Sequence, residues 1–154
     1  MKKSFYLLLL VSALSLAFKT DQSEPFELYW ETDFDHALTL ANETNKPLLV
    51  FFTGSDWCGP CKMLEKDFFQ SEKFQHAATN DLVLYKADFP RRRDLITPEQ
   101  KKQNALLSSK YGVRGYPTIV ILNGQGHMLE KQVGYNRSLG ADEHFKMLDR
   151  VTAH

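Results

Sequence analysis

The chain is poor in cysteine, since its 154 residues include only two. Small secreted proteins use many cysteines to stabilise the fold through disulfide bonds. Two cysteines form at most one bridge, which excludes a framework of several disulfides. An excess of charge of one sign is also lacking, since 19 lysines and arginines balance 19 aspartates and glutamates. Such a chain has no overall field to attract nucleic acid or an anionic membrane, and no nucleic-acid role is expected.

A long apolar run is missing as well. The most apolar stretch, from Phe5 to Phe18, has about 14 residues, whereas a membrane-spanning helix needs about 20. Lys2 and Lys3 precede this stretch, and Ser15 and Ala17 near its end are the small residues that a signal peptidase accepts. This order is typical of a signal peptide. We predict one at residues 1–17, cleaved near Ala17, and hence export; an uncleaved anchor is the alternative.

The rest of the chain has the composition of one soluble domain. Its hydrophobic and charged fractions, 43% and 25%, are close to the average for globular proteins. A domain of this size buries a core without metal or disulfide staples. Residues 18–25 are polar and without periodicity, so they predict a flexible N-terminal arm and leave residues 26–154 as the folded domain.

Apolar patterns in this domain predict alternating strands and helices. Leu48–Thr53 is a continuous apolar run that fits a strand buried on both faces, and Leu82–Ala87 predicts a second buried strand. Their β-α-β order indicates parallel pairing through a crossover. Pro117–Leu122 and Met128–Val133, joined by the turn Asn123–Gly126, predict an antiparallel hairpin. The expected fold class is α/β, with a central mixed sheet and helices on both faces.

The predicted helices share an apolar stripe at helical spacing, and most have a capping residue before the first turn. They begin after Thr32 or Asp33, at Cys61, after Ser71, at Pro98 and at Ser138. The helix that begins at Pro98 has the strongest signal, because a capping box precedes it, and should end near Lys110. The last helix should run unbroken to Val151.

Both cysteines lie between a predicted buried strand and a predicted helix, in the sequence Trp57-Cys58-Gly59-Pro60-Cys61. A dithiol redox site requires this placement, because the free N–H groups and the dipole at a helix start favour a thiolate. We expect Cys58 to be the more acidic thiol. Cys61, one turn inside the helix, would attack a mixed disulfide formed on Cys58.

Two other interpretations of the cysteine pair stay open at this point. The pair could be an inert disulfide, or it could supply half of a zinc site. A structural zinc site needs four ligands, and the chain has neither a second cysteine pair nor histidines at ligand spacing. We therefore expect no metal, and nothing in the sequence indicates another cofactor.

The motif and the segments that follow it resemble the thioredoxin superfamily. The resemblance rests on the strand-loop-helix pattern of Leu48–Met63, on the segment Tyr111–Thr118 and on the hairpin at Asn123–Gly124. It covers Phe26–Val151. The loop Gly54–Cys58 is closest to that of exported thioredoxin-like proteins. The resemblance implies a thioredoxin fold in which a cis-proline loop faces the CxxC motif.

The same resemblance implies a thiol-disulfide oxidoreductase that acts on disulfide-containing protein substrates. Pro117 would follow a cis bond, and Tyr116 before it would shape the substrate groove together with Trp57, Gly59 and Pro60. From the sequence alone, a Tyr-Pro pair before a strand is equally compatible with a trans bond.

The Gly59-Pro60 dipeptide between the cysteines resembles that of thioredoxin, which lies at the reducing end of the dithiol scale. We therefore predict a reductase. The predicted signal peptide places it in the bacterial periplasm, and we expect a monomer. Such a protein needs electrons from elsewhere, and the family implies a membrane thiol-disulfide donor. A disulfide donor or isomerase, and a binding or chaperone module without turnover, are the alternatives.

One departure from the family pattern concerns the proton of the second cysteine. Thioredoxin carries a buried aspartate on the strand before the motif, whereas this chain has Phe51 or Phe52 in that place. Asp56 and Glu65 are the nearest candidate proton carriers. Each could equally be a solvated surface charge.

A second departure is the connection Phe89–Asn104, which is longer than that of thioredoxin. It carries three consecutive basic residues, Arg91, Arg92 and Arg93. These arginines could recognise an acidic partner, or they could simply form a solvated loop.

Overall fold

The structure is a computed structural model that describes residues 28–153. The predicted signal peptide at 1–17 and arm at 18–25 lie outside the described residues. The elements in chain order are α1 Phe34–Thr44, β1 Leu48–Thr53, α2 Gly59–Leu64, a π-helical segment Glu65–Phe69, α3 Glu72–Asn80, β2 Val83–Asp88, α4 Pro98–Lys110, β3 Thr118–Leu122, β4 Met128–Val133, a 3-10 turn Arg137–Leu139 and α5 Asp142–Thr152.

The four strands form one mixed sheet in the order β2-β1-β3-β4. β1 pairs in parallel with β2 and antiparallel with β3, which in turn pairs antiparallel with β4. Every residue of β1 is buried, as a central strand covered on both faces requires. The predicted mixed sheet, with its parallel β-α-β unit and its hairpin, is confirmed.

Helices cover both faces of the sheet, and alternate residues of β1 point into two separate cores. On one face Phe51 packs in a cluster with residues of α2, the π segment, α3 and α5, including both cysteines. On the other face Phe52 packs against residues of α1 and α4, among them Phe34 and Leu107. The cysteine motif therefore belongs to the first core only.

The capping box predicted before α4 is present. The Thr97 hydroxyl accepts the Gln100 backbone N–H at 3.1 Å, and the Gln100 side-chain oxygen accepts the Thr97 N–H at 2.9 Å. Two donors that a helix start leaves without partners are satisfied in this way. As a result, α4 has the predicted bounds, Pro98–Lys110.

The prediction of one unbroken final helix from Ser138 is wrong in its first turn. The Asn136 side chain accepts the Ser138 N–H and starts a 3-10 turn, after which Gly140 adopts a φ of 69°. This left-handed conformation suits glycine and ends the turn, so α5 begins only at Asp142. Between residues 28 and 153, no helix has the length and apolar character needed to cross a bilayer.

The helix that starts at the motif also changes its geometry, which the apolar spacing did not predict. Over Glu65–Phe69 it is π-helical, and the Gln70 N–H donates to the Glu65 carbonyl at 3.0 Å. Both Phe68 and Phe69 are buried there. The wider π turn brings two consecutive aromatic side chains into the first core.

His144 on α5 is a buried histidine inside this aromatic core, 3% exposed. Its ring centroid lies 5.6 Å from that of Phe68 and 5.8 Å from that of Tyr135, and among the described residues neither ring nitrogen has a hydrogen-bond partner. Burial lowers the pKa of His144, while the Gly134 backbone and the Glu143 carboxylate act in the opposite direction. The folded state therefore favours the neutral ring.

We expect this histidine to make the fold sensitive to acid. Below about pH 6.5 the unfolded chain protonates the ring, whereas the folded chain resists it because its pKa is lowered. The unfolded state then binds more protons, so the free energy of unfolding falls as the pH falls. His144→Phe should lose less stability than the wild type between about pH 7.5 and about pH 5.5, as measured by urea unfolding.

The matched control is His76→Gln, because His76 is exposed on α3. This variant should keep the acid sensitivity of the wild type. An equal loss of stability in His144→Phe and in the wild type would contradict the prediction.

Candidate functional site

Cys58 and Cys61 form a disulfide at the start of α2, with their Cα atoms 5.3 Å apart. β1 ends at Thr53, and a turn returns the chain because the Cys58 N–H donates to the Gly54 carbonyl at 2.8 Å. Cys58 is the N-cap of α2, and its Sγ accepts the Cys61 N–H at 3.3 Å. Pro60 occupies the first helical turn, where its missing N–H costs nothing.

The two sulfur-bearing residues differ in exposure. Cys58 is 3% exposed and Cys61 is fully buried, so a partner can reach only Cys58. Phe51 lies in the same buried cluster as both cysteines, whereas Phe52 lies in the core on the other face of the sheet. Of the two phenylalanines considered, Phe51 is therefore the one on the cysteine side.

Trp57 is the exposed aromatic residue of the motif, with 38% of its surface accessible. Its Nε1 donates to the Phe89 carbonyl at 2.9 Å, and its ring meets the Tyr116 ring edge-on with centroids 5.9 Å apart. The indole packs directly over Gly54, where a Cβ would overlap its ring atoms. The missing side chain at residue 54 thus sets the position of Trp57.

Gly54→Ala should displace the indole and break its bond to the Phe89 carbonyl. Forcing a methyl group into such a contact costs about 1–3 kcal/mol of unfolding free energy. The matched control is Gly115→Ala, because a Cβ at residue 115 meets nothing within 4 Å. Urea unfolding should show a change within about 0.5 kcal/mol for the control; equal stability of the two variants would contradict the packing argument.

The Tyr116–Pro117 bond is cis, as the resemblance implied. Pro117 is buried, and its carbonyl accepts the Gly134 N–H at 2.8 Å. The Tyr116 ring stacks on Phe89, with centroids 5.1 Å apart, and burial raises the pKa of its hydroxyl. The structure therefore brings Trp57, Tyr116 and Phe89 together in one aromatic surface beside the cysteine pair.

Gly59 and Pro60, the other predicted groove residues, are exposed at the start of α2. A Cβ at Gly59 would meet nothing within 4 Å, so the surface over the motif is open. These residues leave space in which a substrate backbone could approach the disulfide.

Sequence reasoning missed two residues that hold the motif loop. Asp88, buried at the end of β2, accepts the backbone N–H of Ser55 at 2.9 Å and also its hydroxyl. Phe89 supplies the carbonyl that fixes Trp57 and the ring that stacks on Tyr116. No local pattern marks these residues, because more than 30 positions separate them from the loop they hold.

The two candidate proton carriers have other contacts. The Asp56 carboxylate accepts the backbone N–H groups of Arg91 and Arg92, each at 3.0 Å, and these bonds hold the pKa of Asp56 below its usual value. Glu65 lies 3.6 Å from the Lys86 ammonium. Within residues 28–153, neither carboxylate forms a hydrogen bond to a cysteine.

A disulfide-linked CxxC pair at a helix start, beside a cis-proline on this mixed sheet, defines a thiol-disulfide oxidoreductase of the thioredoxin superfamily. Comparison with known proteins agrees with this class. Residues 34–151 match the family model described as a thioredoxin-like domain. The chain belongs to that family.

Among individual proteins, the chain is similar to the disulfide bond reductase DsbH of Chlamydia pneumoniae, with 34% identity over 74% of this chain and 67% of the relative. The thioredoxin-related protein DsbJ of the same organism is 25% identical over 88% of this chain, which spans only 38% of DsbJ. A solved structure of a DsbH oxidoreductase superimposes with a TM-score of 0.72, at 28% identity, over 92% of this chain and 98% of that one.

Proposed function

We propose that the protein reduces disulfides of other proteins outside the cytoplasm, with Cys58 as the nucleophile and Cys61 as the resolving residue. One observation carries the assignment of roles. Cys58 caps α2, its Sγ accepts the Cys61 N–H, and it is the only cysteine of the pair with any exposed surface. A backbone N–H directed at the sulfur stabilises negative charge on it.

The first step begins from the reduced pair. The Cys58 thiolate attacks one sulfur of the target disulfide, and a mixed disulfide forms as the target's own S–S bond breaks. The second target sulfur leaves as a thiolate and takes a proton from water. Attack on a disulfide by a thiolate is the general course of thiol-disulfide exchange.

The second step returns the pair to the disulfide state that the structure contains. Cys61 loses its proton to water and attacks the Cys58 sulfur, which releases the target as a dithiol. Two electrons have then passed from the pair to the target. A thiol-disulfide donor at the membrane would restore the reduced pair, at the cost of its own oxidation.

The aromatic surface would position the target in these steps. An extended segment of the target would lie along Tyr116 and Pro117 and cover the open surface at Gly59 and Pro60. The edge-on contact between Trp57 and Tyr116 keeps both rings beside Cys58. A docked segment would thereby exclude water from one side of the reacting sulfurs.

Export is part of the proposal and rests on the sequence of residues 1–17. The similarity to Dsb proteins of bacteria supports an extracytoplasmic location, and we place the protein in the periplasm. N-terminal sequencing of the mature protein should find a start near residue 18.

The reduction potential tests the direction of transfer. The Gly59-Pro60 dipeptide and the similarity to a disulfide bond reductase predict a value near the ~−270 mV of thioredoxin. Equilibration of the purified protein with glutathione buffers measures it. A value near the ~−120 mV of the strong oxidant DsbA would contradict reduction and support a disulfide donor.

A further inference from the structure

A cavity of about 370 Å³ lies beside the cysteine motif, on the side of the loop that carries the three arginines. Phe89 and Ile96 contribute apolar surface to it, while Arg91, Arg93 and Lys101 surround it with positive charge. We call this site the basic cavity. The role of these arginines is not assigned by the oxidoreductase chemistry described above.

The motif itself holds the wall of the basic cavity in place. Asp56 accepts the N–H groups of Arg91 and Arg92, and the Trp57 Nε1 donates to the Phe89 carbonyl. The Arg91 guanidinium lies over the Trp57 ring, 5.0 Å from its centroid, in a cation-π contact. The two residues that precede Cys58 therefore fix the arginine loop, which a merely solvated loop would not require.

Nearby carboxylates balance only part of the charge of the basic cavity, and Asp56 is the one whose charge interacts with that of Arg91. In the described part of the chain, Arg92 pairs with Asp94 at 2.6 Å, but the side chains of Arg91, Arg93 and Lys101 take part in no ion pair. Asp88 also lines the cavity, yet its carboxylate is buried and occupied by Ser55.

This local excess contrasts with the chain as a whole, in which basic and acidic residues are equal in number. Positive groups gathered at one cavity attract and orient an anionic partner. Guanidinium groups are suited to carboxylates in particular, since two parallel N–H donors can bind both oxygens.

We propose that the basic cavity binds an acidic segment of the substrate polypeptide, and that it selects substrates whose target disulfide is followed or preceded by aspartates and glutamates. The inference deepens the proposed function and rests on it. Trp57 is both the neighbour of Cys58 and the support of Arg91, so the two sites are contiguous.

The test uses the full mature protein and two synthetic peptides with the same disulfide. One peptide carries three acidic residues beside its cysteine, and the other carries glutamines in their place. At low salt we expect kcat/KM for the acidic peptide to be about tenfold higher. The preference should shrink at about 1 M salt, where the screening length is only ~3 Å.

The double variant Arg93→Gln/Lys101→Gln should bring the ratio of the two rates close to one. The control is Lys102→Gln, which removes one positive charge at the position of α4 that follows Lys101, because Lys102 is exposed and does not line the cavity. This control should keep the preference of the wild type.

Several results would overturn the inference. Equal rates for the two peptides with the wild type would do so while leaving the proposed function intact, because both peptides are still reduced. A double variant that slows both peptides equally would show that the loop supports the fold of the site and selects nothing. Failure to reduce either peptide would instead contradict the proposed function itself.

Discussion

Cys61→Ala should stop the reaction at the mixed disulfide, so that the protein accumulates covalently linked to its substrates. Cys58 would still attack a target disulfide, because its position as N-cap of α2 does not depend on the Cys61 sulfur. Release of the substrate, however, needs attack on the mixed disulfide by the second sulfur of the pair, and Cys61 supplies that sulfur. Insulin reduction should fall by about a thousandfold or more, as removal of one member of a concerted pair usually does.

Cys58→Ala is the matched variant, and it should lose reduction to the same extent without forming the linked species. The difference follows from exposure, since the remaining Cys61 is fully buried and cannot reach a docked partner. Non-reducing gels of both variants, after mixing with an oxidised protein, show the linked species directly. If Cys58→Ala trapped substrates as well as Cys61→Ala, the proposed roles would be wrong.

Phe68→Ala should cause the largest loss of stability. Its fully buried ring lies between 4.8 and 5.6 Å, centroid to centroid, from four other rings, those of Phe69, Phe74, His144 and Phe145. Truncating such a side chain removes its burial energy and leaves a cavity, which together cost about 3–5 kcal/mol. For a domain of this size, the melting temperature should fall by roughly 10–20 °C.

Leu106→Ala provides the comparison, because Leu106 is 63% exposed on α4. Urea unfolding should show a change within about 0.5 kcal/mol for this variant. A loss in Phe68→Ala as small as that of the control would mean that the aromatic core relaxes around the missing ring.

The parts of the fold that local signals specify could be predicted from the sequence. β1 has the predicted bounds because five consecutive apolar residues followed by the β-branched Thr53 suit a strand buried on both faces. α4 has the predicted bounds because Thr97 and Gln100 form their capping box within one turn. The position of both cysteines at a helix start follows from the same kind of local pattern, with Pro60 in the first turn.

Other features depend on contacts between distant segments, and no local pattern reports them. The choice between Phe51 and Phe52 needs the face of β1 that meets the cysteines, which only the packed structure supplies. Asp88 holds the motif loop across 33 positions of sequence. The loop of Arg91, Arg92 and Arg93 illustrates the difference. Its charge is evident in the sequence, but its hydrogen bonds to Asp56 are evident only in the structure.

The aromatic packing around the cysteines affects how protons would reach and leave the sulfurs in the proposed cycle. With Phe51 on the strand beneath the motif, the position where thioredoxin carries its buried aspartate has no carboxylate, so in the proposed cycle the cysteines would exchange their protons with the solvent. The pH of the compartment would then determine the rate of the reaction. In this cycle the two cysteines would transfer the electrons, while water would transfer the protons.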